Sequence, residues 1–128
     1  MSRKLFITLP VLLFGSALFA QKKTAMAFSD YREAGGLIYL SGQTGMPGQI
    51  NQEVSRALGK VRAILTSAGS SFDKVVTVQV YLTDLGRYEE FNELYKQYFM
   101  VPFPSRTCIG VAGLPQHAHV EITVKAIK

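Results

Sequence analysis

The sequence predicts an α+β domain, a mixed β-sheet with two α-helices packed on one face. Three observations lead there. Two segments repeat apolar residues at steps of three and four, the spacing of a helix with one buried stripe. Four other runs are rich in β-branched and aromatic residues, the composition of strands. With a weaker first strand counted, the order is β-β-α-β-α-β-β, which suits a mixed sheet covered on one side. The 128 residues are enough for one core and too few for two.

The first twenty residues stand apart from this pattern. Arg3 and Lys4 precede an apolar run from Leu5 to Phe14, and the small residues Gly15, Ser16, Ala17 and Ala20 follow. That is the layout of a secretory signal peptide, and Pro10 leaves the run short for a membrane span. Residues 1–20 are therefore expected to be a signal peptide cut after Ala20, with 21–27 a linker and 28–128 the domain. The alternative is an uncleaved N-terminal anchor. Cleavage implies a periplasmic or secreted protein with no stable membrane association.

Within the domain a weak strand is expected around Met26 to Glu33, then "GLIYLSG" from Gly36 to Gly42. A helix follows over Ile50 to Ala68. Its stripe is Ile50, Val54, Ala57, Leu58, Val61, Ile64, Leu65 and Ala68, and Gly69 closes it. "VVTVQVYLT" forms a strand over Val75 to Thr83. A second helix spans about Gly86 to Tyr98, buried through Tyr88, Phe91, Leu94, Tyr95 and Tyr98, with Pro102 and Pro104 beyond its end. The last two strands are Arg106 to Ala112 and His119 to Ile127.

Alternation sorts these last strands into faces. Val120, Ile122, Val124 and Ala126 form an apolar face for the helices, opposite His119, Glu121, Thr123 and Lys125. If the two strands pair and Ile109 and Val111 also meet the helices, Arg106, Cys108 and Glu121 share the helix-free face. Such a face, carrying small and mixed residues, is either wet or covered by another subunit, and the subunit is the expectation here. On spacing alone Arg106 stays open between an anion site and a cross-strand ion pair with Glu121.

The net charge of +5 does not describe the domain. Arg3, Lys4, Lys22 and Lys23 precede Phe28, and from there on 10 basic residues face 9 acidic ones. A near-neutral domain argues against a nucleic-acid partner, which needs clustered Lys and Arg. One cysteine excludes an internal disulfide, and no Cys/His cluster has zinc spacing. His117 and His119 would share a face on a strand, but two ligands make a poor metal site.

Four blocks in order carry a resemblance: "GGLIYLSGQ", "ALGKVRAILTSAG", "VVTVQVYLTDLGRYEEFNELYKQYF" and "PFPSRTCIGVAGLPQHAHVEI". From Phe28 to the C-terminus the chain resembles the RidA (YjgF-type) family of imine and enamine deaminases. The last block is the most specific, since the family reads P-x-R-[ST]-x-x-x-V-x-x-L-P before V-E-I. The resemblance implies a chorismate-mutase-like α+β fold assembled as a homotrimer with pockets between subunits. It also implies hydrolysis of reactive 2-imino acids or enamines to 2-keto acids and ammonia, with no metal or organic cofactor. The partners are then a small 2-imino or 2-keto acid and the chain's own copies.

Residue by residue, Arg106 matches the arginine that grips the substrate carboxylate, a task suited to a planar guanidinium. Glu121 matches the glutamate that positions or activates the attacking water. Cys108 matches a pocket-wall position; nothing identifies a base to make it a nucleophile. Ser41 and Asn92 match pocket positions, though Ser41 equally suits a strand end and Asn92 a helix surface. Phe28 stands where many members carry a tyrosine, and the segment from Gln43 to Ile50 is shorter than in most. Export is a further departure, because enzymes that generate such imines are mostly cytoplasmic. The competing expectation is a non-catalytic trimer that binds small carboxylates. Ribonuclease activity, also attached to parts of this family, suits neither the near-neutral charge nor the leader.

Overall fold

Two glycines start the sheet. Gly35 and Gly36 take φ of +57° and +75°, the left-handed pair that a two-residue hairpin between twisted strands requires. They join β1 (Tyr31–Ala34) to β2 (Leu37–Leu40) in antiparallel register, Ala34 opposite Leu37. The structure is a computed structural model and describes residues 25–128. The expected signal peptide and most of the linker lie outside the described residues.

The remaining elements are β3 (Gln43–Thr44), α1 (Ile50–Ser67), β4 (Val75–Leu82), α2 (Tyr88–Tyr95), β5 (Ser105–Gly110) and β6 (Val120–Ile127). The expected elements are all present, mostly within two residues of the expected ends. Two differences have simple causes. The second helix begins later than Gly86 because Leu85–Arg87 form a 3₁₀ turn, opened by Asp84, whose Oδ1 accepts the Gly86 N–H at 2.9 Å. The unforeseen β3 is two polar residues, too short to show any alternation, that pair with Ile122 and Glu121 of β6.

The sheet runs β1-β2-β6-β4-β5, with β3 also on β6. The crossover through α2 lays β5 parallel on one side of β4, and β6 lies antiparallel on the other. The anticipated pairing of the last two strands therefore does not form, because β4 separates them. A bulge between Val75 and Thr77 shifts the alternation of β4, so Val75 and Val78 both point inward with an exposed Val76 between them.

Both helices cover one sheet face. The core joins Val54, Ala57, Leu58, Val61 and Leu65 of α1 and Phe91 and Tyr95 of α2 to the sheet. The sheet supplies Ile38, Val78, Val80, Leu82, Val120, Ile122 and Val124. Each valine, leucine, isoleucine or phenylalanine among them contributes about 1.5–3 kcal/mol by leaving water. Of the expected α2 stripe, Phe91 and Tyr95 are buried, Leu94 and Tyr98 partly so, while Tyr88 is exposed.

The faces of β5 are the reverse of the expectation. Arg106 and Cys108 lie in register with Val78 and Val80, which are fully buried under the helices. Ile109 is 45% exposed on the other side. Glu121 does lie on the helix-free face, between Ile122 and Val120, which are buried. Arg106 and Glu121 are thus on opposite faces of one sheet. No ion pair joins them, and the aromatic face of α2 explains why a charge accepts the helix side.

Candidate functional site

Arg106 sits on edge strand β5 beneath α2. Residues 88, 91, 92 and 95 fall on one face of that helix, a spacing that follows from 3.6 residues per turn. The guanidinium carbon is 4.7 Å from the ring centroid of Tyr95, 5.6 Å from Tyr88 and 5.7 Å from Phe91. These rings offset part of the hydration the charge gives up. Nη2 donates to Asn92 Oδ1 at 2.7 Å and to the Tyr88 hydroxyl at 3.2 Å. Among the described residues no carboxylate lies within ion-pair distance of Arg106. Nη1 and Nε keep donors that α2 does not take up.

The guanidinium forms the polar end of a cavity of about 320 Å³, lined by Asn92, Tyr95, Lys96, Phe103, Pro104 and Arg106. A cation set into a mostly apolar wall suits a small carboxylate with an apolar body. Cys108, next on the same strand face, packs against the core and is absent from this wall. Burial pushes its thiol up, with Arg106 pulling the other way. The group therefore stays a thiol, not a thiolate nucleophile.

On the opposite face Glu121 lies between Thr44 and Tyr81 in the strand register. Its side chain crosses Gly42, where an added Cβ would collide with the carboxylate; glycine there is what lets the carboxylate lie against β2's end. It faces a wider cleft of about 530 Å³, shared with Phe28, Ser41, Gly42, Thr44 and Gln116. Ser41 closes the strand end, donating through Oγ to Ser29 O at 2.7 Å and through its N–H to Asp30 O at 2.9 Å. Phe28 is 57% exposed at the rim.

The six residues singled out from sequence thus fall into two groups, not one. Asn92, Arg106 and Cys108 are on the helix side; Phe28, Ser41 and Glu121 are on the helix-free side. Asn92 is neither a plain surface residue nor shown to touch substrate, since it holds Arg106. Sequence reasoning treated Tyr88 and Tyr95 only as core. The signal was available: Asn92 is a polar residue within an aromatic stripe. It also passed over Glu53, which is fully buried on α1. Its carboxylate accepts the N–H groups of His119 at 2.5 Å and Val120 at 3.1 Å and bonds His119 Nδ1 at 2.9 Å.

The two histidines do not share a strand. His117 belongs to a 3₁₀ turn with φ +58°, while His119 is tied to Glu53. Among the described residues no three His, Cys, Asp or Glu side chains are grouped to hold a metal ion.

A family model described as Endoribonuclease L-PSP matches residues 19–128. The chain is 35% identical over 122 residues to the 2-iminobutanoate/2-iminopropanoate deaminase of Bos taurus, covering 87% of this chain and 89% of that one. The structure of RidA from an Antarctic Psychrobacter is similar with a TM-score of 0.77 at 28% identity, over 80% of this chain and 89% of that chain. E. coli TdcF with bound serine is similar with a TM-score of 0.75 at 27% identity, over 81% and 90%.

Proposed function

The chain belongs to the RidA family, and on that premise we propose that it is a hydrolytic deaminase of 2-imino acids and their enamine tautomers. The observation that carries the reading is Arg106: a charge seated on aromatic rings, held by Asn92, without a carboxylate partner among the described residues, at the end of an apolar cavity. A 2-imino acid offers the missing anion.

In this reading the substrate carboxylate pairs with Nη1 and Nε of Arg106 in a two-pronged grip, while Nη2 stays with Asn92 and Tyr88. The grip fixes the C=N carbon for attack. Glu121 takes a proton from water as the oxygen bonds to that carbon and passes it to the imine nitrogen, giving a carbinolamine. The carbinolamine then collapses as the C–N bond breaks, giving the 2-keto acid and ammonia. Water supplies the oxygen, and no oxidant or reductant is consumed.

Arg106 and Glu121 cannot act on one substrate from opposite faces of a single sheet. The reading therefore places the working site between copies, with the Arg106 half-site of one subunit against the Glu121 half-site of the next, in a homotrimer.

The test generates 2-iminopropanoate with an amino-acid oxidase and follows its decay beside a trapping amine. The wild-type protein should accelerate hydrolysis. Arg106→Ala should lower kcat/KM about 100-fold, as expected for losing charge-assisted bonds of about 3 kcal/mol. Equal rates for wild type, Arg106→Ala and no protein would end the enzyme reading. Carboxylate binding through Arg106 without turnover would leave the non-catalytic trimer instead.

A further inference from the structure

Among the described residues, one buried side-chain polar atom has no partner. Tyr95 is 5% exposed, and among the described residues its hydroxyl makes no hydrogen bond. Buried hydroxyls are almost always paired, and an orphan marks a place where a partner is missing. The ring cannot easily swing to water. It stacks on Phe99 at 4.4 Å between centroids, meets Phe91 at 5.9 Å and Phe103 at 6.5 Å, and carries the Arg106 guanidinium at 4.7 Å.

The residue also lines the cavity that Arg106 closes. The rings it packs against, Phe91, Phe99 and Phe103, carry no polar atom. Of the three rings around the Arg106 guanidinium, Tyr88 and Tyr95 carry hydroxyls, and that of Tyr88 already accepts from Arg106. Burial holds the Tyr95 phenol protonated well beyond neutral pH, with Arg106 opposing, so it remains a donor.

We propose that the Tyr95 hydroxyl is a substrate-binding donor, hydrogen-bonded to the carboxylate that Arg106 pairs with. The identity of that anion rests on the deaminase reading. Arg106 commits Nη2 to Asn92 and Tyr88 and offers Nη1 and Nε; a phenol lying beside it adds a neutral donor from α2. Helix α2 then does more than hold the arginine. Asn92 and Tyr88 orient it from one side, and Tyr95 binds the same ligand group. An arrangement of this kind selects a planar anion over a neutral carbonyl, because a neutral group leaves the guanidinium uncompensated.

The test compares wild type, Tyr95→Phe and Arg106→Ala, using 2-ketobutanoate as an unreactive probe of the carboxylate site and 2-iminobutanoate turnover as the second readout. Tyr95→Phe keeps the ring and its stacking. It should weaken 2-ketobutanoate binding about tenfold or more, the scale of losing one hydrogen bond to a charged group. The melting temperature without ligand should stay level or rise, since an unpaired buried hydroxyl has been removed. Turnover should show a raised KM with a smaller change in kcat. Wild-type affinity in Tyr95→Phe, with binding lost in Arg106→Ala, overturns the role of Tyr95 and leaves the deaminase reading standing. Unchanged binding in Arg106→Ala overturns both. A fall in melting temperature of Tyr95→Phe with unchanged affinity would assign the hydroxyl to structure and also overturn the proposal.

Discussion

A guanidinium beneath a helix gives up part of its hydration, and Arg106 recovers some of that through ring faces and one short bond to Asn92. What it does not recover among the described residues is a counter-charge, which is why an anionic ligand fits the position. The same desolvation acts on its neighbour: burial pushes the Tyr95 phenol up to about 12 from 10.0, with Arg106 partly opposing. The folded state therefore prefers the protonated phenol. This contribution is fully present below pH 10 and is lost as pH rises from about 10 to 12, where the unfolded chain ionises first. Urea unfolding at pH 9 and 11.5 should show wild type losing about 2 kcal/mol more than Tyr95→Phe over that interval. Equal losses would mean that this phenol ionises as freely folded as unfolded.

Helices and strands were readable because their stripes are long: α1 and α2 show apolar steps of three and four, and β6 alternates cleanly over eight residues. The faces of β5 were not. Arg106, Cys108 and Gly110 on one side and Thr107, Ile109 and Val111 on the other give no decisive apolar set, and a charge under a helix contradicts the usual pattern. Only the α2 aromatics, distant in sequence, settle which side accepts it. Glu53 was missed for a similar reason, since at the start of α1 it reads as an acidic first-turn residue. In the fold it instead anchors the entry of β6 through two backbone N–H groups and His119. Glu53→Ala strands those donors in a buried place and should cost about 3 kcal/mol in urea unfolding. Glu53→Gln keeps a carbonyl acceptor and should cost less. Identical stabilities for Glu53→Ala and wild type would deny the anchor.

At the scale of the molecule, one sheet carries two incomplete sites. The helix side has an arginine and an apolar cavity whose described lining residues include no carboxylate to act as base. The other side has Glu121 over Gly42, a serine committed to the backbone of Ser29 and Asp30 and a phenylalanine rim, with no cation among the described lining residues to orient a substrate. The family motif named Arg106 and Glu121 together from sequence, and their separation is visible only in the fold. A ring of copies with head-to-tail contacts brings unlike half-sites together at every interface. The decisive measurement mixes two inactive variants. Arg106→Ala and Glu121→Ala are co-unfolded in equal amounts, refolded together, and assayed for 2-iminopropanoate hydrolysis. If each working site takes its arginine from one copy and its glutamate from the next, random assembly restores about one quarter of wild-type sites, and that share of activity should return. Activity no higher than that of the separate variants would contradict a site shared between copies.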